Sequence, residues 1–365
     1  MIDCLVVGAG QSGLSCAFLL AAAGHSYQVI DAHRRVGDVW RQRPRNLRLF
    51  TSRQFCRLGD MAMPGEQGGF PSAAEFADHL ERFAAERRLN VRLDCRVDRV
   101  AWRDGAFVAT LAGGEEIRAR TVINATGSSQ VPIVPALAGA FDPRVRQLTA
   151  ASYRDPDSVD KAGPVLVVGD GASGRQIALE LAATHQVVMS MGRKRKLVPN
   201  RVLGRDIFWW LTRLGVLYAP TGSPIAGMLR KRDPIPAGDA DNERLREAGV
   251  TLKPRTSGAA GDSASFSDGS STRVGTVVWC GGYKEDLGWI ALPGVDTRAG
   301  HIEHRRGKTA QPGFFVMGRK WLSCRASELV LGAAADAEIV LGHVAEQLGL
   351  PGAVSASKLA PAQGN

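Results

Sequence analysis

The feature that most constrains the fold is a pattern that the sequence contains twice: a short apolar strand, a turn of three spaced glycines and an apolar helix. The first copy has its strand at residues 4–7 and its glycine turn at 8–13, and the second has them at 165–168 and 169–174. Both turns read Gly-x-Gly-x-x-Gly, and a second strand-like run follows each helix. A strand, a glycine turn and a helix in this order form a βαβ unit of a parallel sheet. We therefore predict an α/β protein with two Rossmann-like domains.

The three glycines of each turn have different mechanical roles. The first turns the chain out of the strand, the second lets the backbone approach a pyrophosphate, and the third lets the helix pack closely on the sheet. The helix N-terminus offers free N–H groups and a favourable dipole to phosphates. Asp31 ends the next strand of the first copy, where a carboxylate would bond both ribose hydroxyls, although a plain βαβ turn without a ligand is the alternative. The residues predicted to bind this first cofactor are Gly8, Gly10, Gln11, Ser12, Gly13, Asp31 and Ala32.

The second glycine turn is followed by a basic run instead of a carboxylate. After the second strand of this copy the chain reads Met191-Gly192-Arg193-Lys194-Arg195-Lys196. A ribose that carries a 2′-phosphate favours guanidinium and ammonium groups at this place, so NADPH is predicted in preference to NADH. A solvated basic loop is the alternative. The residues predicted to bind NADPH are Gly169, Gly171, Ser173, Gly174, Arg193 and Lys194.

The order of the elements predicts a nested arrangement of the two domains. Residues 1–155 and 285–365 are assigned to the first domain, and residues 156–284 form a second domain inserted into it. A helix predicted from Ser327 to Gln347 returns the chain to the first domain, and the tail from Gly352 is predicted to fray. Two nucleotide-binding folds in one chain favour hydride transfer from NADPH to a flavin.

An amphipathic helix is predicted over residues 73–88, between the two glycine turns. Phe70 and Pro71 precede it, and Ser72 stands at the position of an N-cap. A serine hydroxyl at this position accepts a hydrogen bond from a free N–H group of the first turn. The helix is therefore expected to begin at residue 73.

Composition and charge restrict the classes of function. The net charge is +10, but the basic residues are scattered and do not alternate with aromatic ones, so we expect a solvated basic surface and no nucleic-acid partner. No apolar run has the length of a membrane-spanning helix. The six cysteines form no C-x-x-C pair, which leaves no zinc site, no other metal centre and no adjacent redox dithiol. Without a disulfide framework, a cytoplasmic location is expected.

Further motifs surround the two glycine turns and extend over nearly the whole chain. They are Gly37-Asp38-Val39-Trp40-Arg41, residues 47–51, Phe70-Pro71, Ala125-Thr126-Gly127, Tyr153-Arg154-Asp155-Pro156, Gly204-Arg205-Asp206, residues 279–290 and residues 312–337. In this order and spacing the chain resembles the class B flavin-containing monooxygenases, in the bacterial branch similar to the plant YUCCA enzymes. The resemblance implies that NADPH reduces FAD, that O2 adds at the flavin C4a carbon, and that the resulting (hydro)peroxide gives one oxygen atom to a small organic metabolite. Water must be excluded from such a site.

The resemblance also implies roles for residues outside the glycine turns. Thr51 and Ser52 fall on the segment that passes the isoalloxazine, where a catalytic hydroxyl bonded to the flavin and a plain loop role both stay open. Val97 is expected to contact adenine through its backbone. The helix expected to begin near Ser327 would direct its N–H groups at the N1–C2=O edge of the flavin. The other residues implied to contact FAD are Trp40, Arg41, Thr126, Gly127, Gly318 and Leu329.

The sequence departs from the family pattern at positions that bear on NADP and on oxygen. Thr149 falls where the family has a histidine, Ala172 stands at the usual asparagine of the second turn, and Phe50 corresponds to the active-site asparagine of the animal-type enzymes. The alternative function is therefore an NAD(P)H-dependent flavoprotein reductase, dehydrogenase or oxidase that inserts no oxygen. A second alternative is a flavoprotein without catalysis that serves as a redox sensor or scaffold.

Three properties are left open by the sequence. The substrate is one, because the loops that shape a substrate pocket carry no readable code. Trp209 and Trp210 either wall an apolar substrate channel or belong to the core or to an oligomer contact. The oligomeric state is also open, a homodimer included.

Overall fold

The computed structural model describes residues 1–160, 163–194, 196–236, 238 and 240–350. Arg195 of the basic run and the tail predicted to fray from Gly352 lie outside the described residues.

The helices are α1 Gln11–Ala22, α2 Asp38–Arg41, α3 Ala73–Glu86, α4 Ala172–Leu181, α5 Ile207–Arg213, α6 Pro224–Arg232, α7 Asn242–Glu247 and α8 Ala333–Leu348. The strands are β1 Ile2–Val7, β2 Tyr27–Ile30, β3 Val91–Arg92, β4 Val97–Arg103, β5 Ala106–Leu111, β6 Glu116–Asn124, β7 Val131–Pro132, β8 Arg146–Thr149, β9 Val165–Val168, β10 Val187–Ser190, β11 Leu197–Val198, β12 Arg201–Val202, β13 Arg205–Asp206, β14 Ile235–Pro236, β15 Thr251–Lys253, β16 Thr256–Ala260, β17 Ser263–Phe266, β18 Ser271–Arg273, β19 Thr276–Trp279, β20 Tyr283–Lys284, β21 Ile290–Ala291 and β22 Phe314–Val316.

The first large sheet carries the first glycine turn near its centre. Its strands lie in the order β21-β4-β5-β6-β1-β2-β3, and β22 pairs with β6. Because β1 is parallel to both β2 and β6, Val7 lies beside Ile30 on one side and Asn124 on the other. β4, β5 and β6 form an antiparallel meander. The glycine turn and Asp31 therefore leave the carboxyl edge of neighbouring parallel strands, where open α/β sheets bind their ligands.

The second large sheet is parallel throughout, in the order β15-β10-β9-β19-β8. β9 leads into the second glycine turn, and its last residue, Val168, lies beside Ser190 and Trp279. β8 comes from residues 146–149, which precede the predicted start of the second domain at residue 156. It joins this sheet because it pairs in parallel with β19.

Apolar side chains cover both faces of the first sheet. α1 and α8 pack against each other on one face. Leu5 and Val6 of β1 are fully buried between the two layers, which fixes the turn that follows them. The core residues on the helical face include Leu14, Leu20, Phe76, Phe83 and Val340, those on the other face include Val100, Phe107 and Phe314, and those of the second sheet include Val167, Ile177 and Val278.

The predicted start of the helix after Ser72 is confirmed. Ser72 Oγ accepts a hydrogen bond from the Glu75 N–H group at 3.2 Å, and the Glu75 carboxylate accepts one from the Ser72 N–H group at 2.7 Å. This reciprocal arrangement is a capping box. α3 begins at Ala73 and ends at Glu86, slightly before the predicted end at residue 88.

The predicted start of the C-terminal helix near Ser327 is wrong. Ser327 lies in a short 3-10 turn, Arg325–Glu328, and a second 3-10 turn covers Val330–Gly332. Leu329 between the two turns has an extended backbone with φ −102° and ψ 160°. An α-helix cannot run through a residue in this conformation, so α8 begins only at Ala333. The helix N-terminus expected to face a flavin at Ser327 does not exist.

Candidate cofactor-binding site

At two positions of the first glycine turn, Gly8 and Gly13, the helix and the strands lie too close together for a side chain. Gly8 has φ +108°, and a Cβ atom there would lie 2.6 Å from the Ala125 carbonyl oxygen. A Cβ atom on Gly13 would lie 1.8 Å from the Gly8 carbonyl oxygen. Both positions therefore require glycine. Gly10 differs, because a Cβ atom there would meet no protein atom within 4 Å.

The N-terminus of α1 has no side-chain cap. Gly10 is the N-cap residue, its backbone is extended, and no acidic residue lies in the first turn of the helix. The first N–H groups of an α-helix need an acceptor from outside the helix. A phosphate group at this place would supply one, as helix N-termini in dinucleotide-binding proteins show.

Asp31 is fixed next to the glycine turn and is ionised. Its Oδ2 atom accepts a hydrogen bond from the Ala9 N–H group at 2.7 Å, and its Oδ1 atom accepts one from the His33 N–H group at 2.9 Å. His33 Nδ1 also lies 2.7 Å from Oδ1. Burial opposes ionisation of Asp31, but the hydrogen bonds from His33 and Ala9 outweigh it and lower the pKa of the carboxyl group. The hydrogen bond to Asp31 likewise raises the pKa of His33 against the effect of its burial.

A cavity of about 730 Å³ extends along the glycine turn at the edge of the first sheet. This volume is typical of a site for a small molecule or cofactor. Trp40 stands at its wall and directs its Nε1 atom to Gln11 Oε1 at 3.3 Å. Most of the residues predicted from the sequence to bind the first cofactor line this cavity: Gly8, Gly10, Gln11, Ser12, Asp31, Ala32, Trp40, Val97, Thr126, Gly127 and Gly318.

Six residues predicted to contact the first cofactor lie away from the walls of this cavity, and two of them, Thr51 and Ser52, are described below. The Arg41 guanidinium pairs with Asp38, Asp78 and Glu81 and so joins α2 to α3. Gly13 packs against the Gly8 carbonyl as described above. Ser327 Oγ accepts hydrogen bonds from the Ser323 and Cys324 N–H groups, and Leu329 packs in an apolar cluster with Phe208 and Leu217.

Several residues that line the cavity were missed by the sequence analysis. They come from the loop after α2, from the segments that connect the two sheets and from the 3-10 turn before α8: Arg43, Gln130, Tyr283, Trp289 and Glu328. The Arg43 guanidinium lies 5.1 Å from the centre of the Tyr283 ring, a cation–π distance. Tyr283, Trp289 and Glu328 lie within the motifs at residues 279–290 and 312–337, for which these contacts were not predicted. Arg43 and Gln130 become neighbours of the cavity through tertiary structure alone.

The second glycine turn repeats the geometry of the first. Cβ atoms on Gly169 and Gly174 would lie 2.4 Å from the Cys280 carbonyl oxygen and 2.0 Å from the Gly169 carbonyl oxygen. Gly171 is the N-cap of α4, which has no side-chain cap, and a Cβ atom on it would meet no protein atom within 4 Å. Ser173 lies in the first turn of α4. This N-terminus therefore has the same free N–H groups as α1.

The basic run lies close to the second turn. The Gly192 N–H group donates to Asp170 Oδ1 at 3.1 Å, which fixes the start of the run beside the turn. Arg193 is exposed and pairs with Asp233 at 2.5 Å, and Lys194 is also exposed. The side chains of Arg193 and Lys194, which the sequence predicts to bind NADPH, thus lie at the edge of the second turn and are accessible to a ligand.

Residues 46–52 lie between the two sheets: Leu49 belongs to the same buried cluster as Leu14 of α1, and the residues around it bond to α4. The Asn46 amide donates to Glu180 Oε1 of α4 at 2.6 Å, and the Arg48 N–H group donates to Gln176 Oε1 of α4 at 3.2 Å. Thr51 and Ser52 are both buried. This segment, predicted from the family resemblance to pass the flavin, is therefore held against the helix that begins at the second glycine turn.

Asp206 joins the 46–52 segment to the start of α5. It is buried and accepts hydrogen bonds from the Ser52 N–H group at 2.9 Å and from the Phe208 N–H group at 2.8 Å. The same carboxylate is thus the N-cap of α5 and the anchor of the 46–52 segment.

These features define a class of protein. A sheet whose parallel strands carry a glycine turn and an ionised carboxylate at their carboxyl edge, joined to a second sheet with the same turn, is the architecture of an oxidoreductase that binds two dinucleotides. The family described as "Pyridine nucleotide-disulphide oxidoreductase" matches residues 5–202. The chain belongs to this family.

Individual relatives agree with the family assignment. An "Uncharacterized oxidoreductase CzcO-like" of Geobacillus kaustophilus is 36% identical over 345 residues, which cover 94% of this chain and 98% of the relative. "Indole-3-pyruvate monooxygenase YUCCA1" of Oryza sativa subsp. japonica is 32% identical over 219 residues, which cover 59% of this chain and 52% of the relative. The solved structure of a flavin-containing monooxygenase from Stenotrophomonas maltophilia has a TM-score of 0.78 at 24% identity and covers 95% of this chain and 98% of its own. The predicted resemblance to flavin-containing monooxygenases is confirmed.

Replacing Asp206 by alanine tests the connection between the two sites. Two buried N–H groups would lose their acceptor, so we expect the free energy of unfolding to fall by about 1–3 kcal/mol. Denaturant unfolding measures this change. Asp296→Ala is the control, because it removes an exposed carboxylate that pairs only at the surface with Arg298, and its unfolding midpoint is expected to match that of the parent. Equal midpoints for both variants would contradict the role given to Asp206.

Proposed function

We propose that this chain is an FAD-dependent monooxygenase that consumes NADPH and transfers one oxygen atom of O2 to a small organic metabolite. The observation that carries the proposal is the pair of uncapped glycine helices joined through residues 46–52. A flavoprotein needs this proximity because the nicotinamide must meet the flavin ring. The names of the relatives support oxygen transfer in preference to simple reduction.

The residues at the first turn fit FAD. The Asp31 carboxylate has acceptor capacity beyond its two backbone hydrogen bonds and would bind the ribose hydroxyls. The free N–H groups at the start of α1 would bind the pyrophosphate, for which the missing side chain of Gly10 leaves room. Val97, Thr126, Gly127 and Trp40 would form further walls of the FAD site.

The residues at the second turn fit NADPH. Arg193 pairs with Asp233 at the surface, and a 2′-phosphate is a stronger, bidentate partner for the same guanidinium. Lys194 would add a second cation, and Ser173 and the N–H groups of α4 would face the pyrophosphate. The basic run would thereby select NADPH over NADH.

The two sheets are proposed to be two Rossmann-like domains, with the NADPH domain inserted into the FAD domain. Residues 1–155 and 285–365 would form the FAD domain and residues 156–284 the NADPH domain, with β8 extending the second sheet from the end of the first segment. All six cysteines are free, which supports a reducing, cytoplasmic environment.

FAD, when bound, supplies the redox chemistry: it accepts a hydride from NADPH and activates O2. The chain's own contribution is to orient the cofactors and to exclude water. Thr51 and Ser52, the proposed catalytic residues, are buried next to an apolar cluster that includes Phe50, Phe208 and Leu329. Such surroundings keep water from a reactive oxygen species. The Thr51 and Ser52 hydroxyl groups are polar groups in this environment that would bond the flavin.

Isotopically labelled O2 tests oxygen transfer directly. The protein is supplied with FAD and NADPH and screened with amines, sulfides and ketones, and the products are analysed by mass spectrometry. We expect one labelled oxygen atom in the product. If NADPH is consumed with every candidate and all the labelled oxygen is recovered as hydrogen peroxide, the chain is a reductase or oxidase and the proposal is wrong.

Two matched substitutions test which turn binds which cofactor. Gly10 and Gly171 occupy equivalent positions, both have negative φ angles, and a Cβ atom on either meets no protein atom within 4 Å. Gly10→Val is therefore expected to preserve the fold but to weaken FAD binding at least ~10-fold, whereas Gly171→Val keeps FAD and raises the KM for NADPH at least ~10-fold. Flavin content after purification and steady-state kinetics measure the two effects.

The circular dichroism spectra of both variants serve as the control for folding. If Gly171→Val loses FAD while Gly10→Val retains it, the assignment of the two turns is reversed. If neither changes either cofactor, the turns do not bind dinucleotides.

A further inference from the structure

Residues 201–232 form an excursion from the second sheet that we call the α5–α6 segment. It consists of the β12–β13 hairpin followed by α5 and α6. Its inner side is anchored: Phe208 and Leu217 are buried against Cys324, Ala326 and Leu329, and Trp210 Nε1 donates to the Val202 carbonyl at 2.9 Å. The segment is therefore a fixed part of the structure with an inner and an outer side.

Large apolar side chains are exposed along the α5–α6 segment. Leu203, in the tight turn between β12 and β13, is 86% exposed, and Leu214 at the end of α5 is 69% exposed. Tyr218, Ile225 and Met228 are exposed as well. Half of the large apolar side chains that are exposed in the described part of the chain belong to this segment. Such a concentration marks an interaction surface.

The same segment is strongly basic. Its cations are Arg201, Arg205, Arg213, Arg230, Lys231 and Arg232. Its only acidic residue is Asp206, which is buried. Within the described residues, Arg213, Lys231 and Arg232 form no ion pair with a carboxylate. Apolar side chains rimmed by unpaired cations are complementary to a surface of negative charge above an apolar layer.

The geometry of α6 places both kinds of side chain on one face. Ile225, Met228 and Arg232 follow each other at intervals of three and four residues and so lie along the same side of the helix. Ala226, on the inner side, is buried. A helix with apolar residues on one face and cations beside them lies flat on a lipid surface.

A second copy of the chain fits this surface less well than a bilayer does. A two-fold interface would bring the same cations of both copies together, and like charges repel. The segment cannot cross the bilayer as a helix, because none of the helices in the described ranges is long and apolar enough to do so. Binding to the surface of the bilayer is the mode that these residues support.

We propose that the α5–α6 segment docks the protein on the surface of an anionic lipid bilayer. Leu203, Leu214, Ile225 and Met228 enter the headgroup region, and Arg213, Lys231 and Arg232 contact the lipid phosphates. None of these residues lines the cavity at the first glycine turn, so the docking surface is separate from the walls of that cavity.

Vesicle co-sedimentation of the full-length protein tests this proposal. Vesicles of phosphatidylcholine with about 30% phosphatidylglycerol are compared with phosphatidylcholine alone, and binding to the anionic vesicles is expected to be at least ~10-fold stronger. Leu203→Ser with Leu214→Ser is expected to lower binding about 10-fold. Arg213→Gln with Lys231→Gln and Arg232→Gln is expected to lower it about 100-fold, and added salt to weaken it in the parent.

A matched charge variant separates specific docking from adsorption of a basic protein. Arg88→Gln with Arg99→Gln and Arg118→Gln removes the same number of exposed cations from β4, β6 and the turn after α3, and is expected to bind anionic vesicles like the parent. All variants should keep the parent's melting temperature, since the altered side chains are exposed. Equal losses in both charge variants, or no preference for anionic vesicles, overturn the proposal. A parent dimer that dissociates in the Leu203→Ser and Leu214→Ser variant, without vesicle binding, also overturns it and assigns the surface to a second copy.

Discussion

The close approach of helix to strand at each glycine turn determines where the rest of the site lies. At Gly13 a Cβ atom would lie 1.8 Å from the Gly8 carbonyl oxygen, and at Gly174 the corresponding distance to the Gly169 carbonyl oxygen is 2.0 Å. Each helix therefore begins directly against the end of a buried strand, and its first N–H groups face outward without a side-chain cap. A phosphate would complete both helices. In the proposed function, the carboxylate of Asp31 and the basic run after β10 distinguish one nucleotide from the other.

The two nucleotide sites are useful only if they are held at a fixed distance, and residues 46–52 provide this connection. Hydrogen bonds from Asn46 and Arg48 fix the segment to α4, and Asp206 fixes Ser52 to α5. Two of the three contacts start from backbone N–H groups, and one of these reaches the buried carboxylate of Asp206, which would lose a partner if the segment moved. The segment proposed to approach the first cofactor is thus positioned by α4 and by the N-cap residue of α5. This arrangement is what a hydride transfer between two bound cofactors requires.

The sequence predicted those parts of the site that depend on local geometry. A glycine spacing, a carboxylate at a strand end and a serine cap each act within a few residues, so the local structure at Gly8, Asp31 and Ser72 follows from the sequence. The cofactor contacts of Gly8 and Asp31 stay predictions. The start of α8 was predicted too early, because Leu329 has an extended backbone and lies in a buried cluster with the distant residues Phe208 and Leu217. Arg43 and Gln130 were missed for the same reason. They reach the cavity from connecting segments, and no pattern along the chain reports such contacts.

Anaerobic reduction of the FAD-loaded protein tests the central claim, that the two turns bring a flavin and NADPH together. NADPH is mixed with the oxidised protein in the absence of oxygen, and the flavin absorbance is followed with time. The structure predicts complete bleaching, with NADPH at limiting concentration at least ~10-fold more effective than NADH because of the basic run. Failure of both nucleotides to reduce the flavin would contradict the account of two joined cofactor sites. Equal rates with NADPH and NADH would contradict the role given to Arg193 and Lys194.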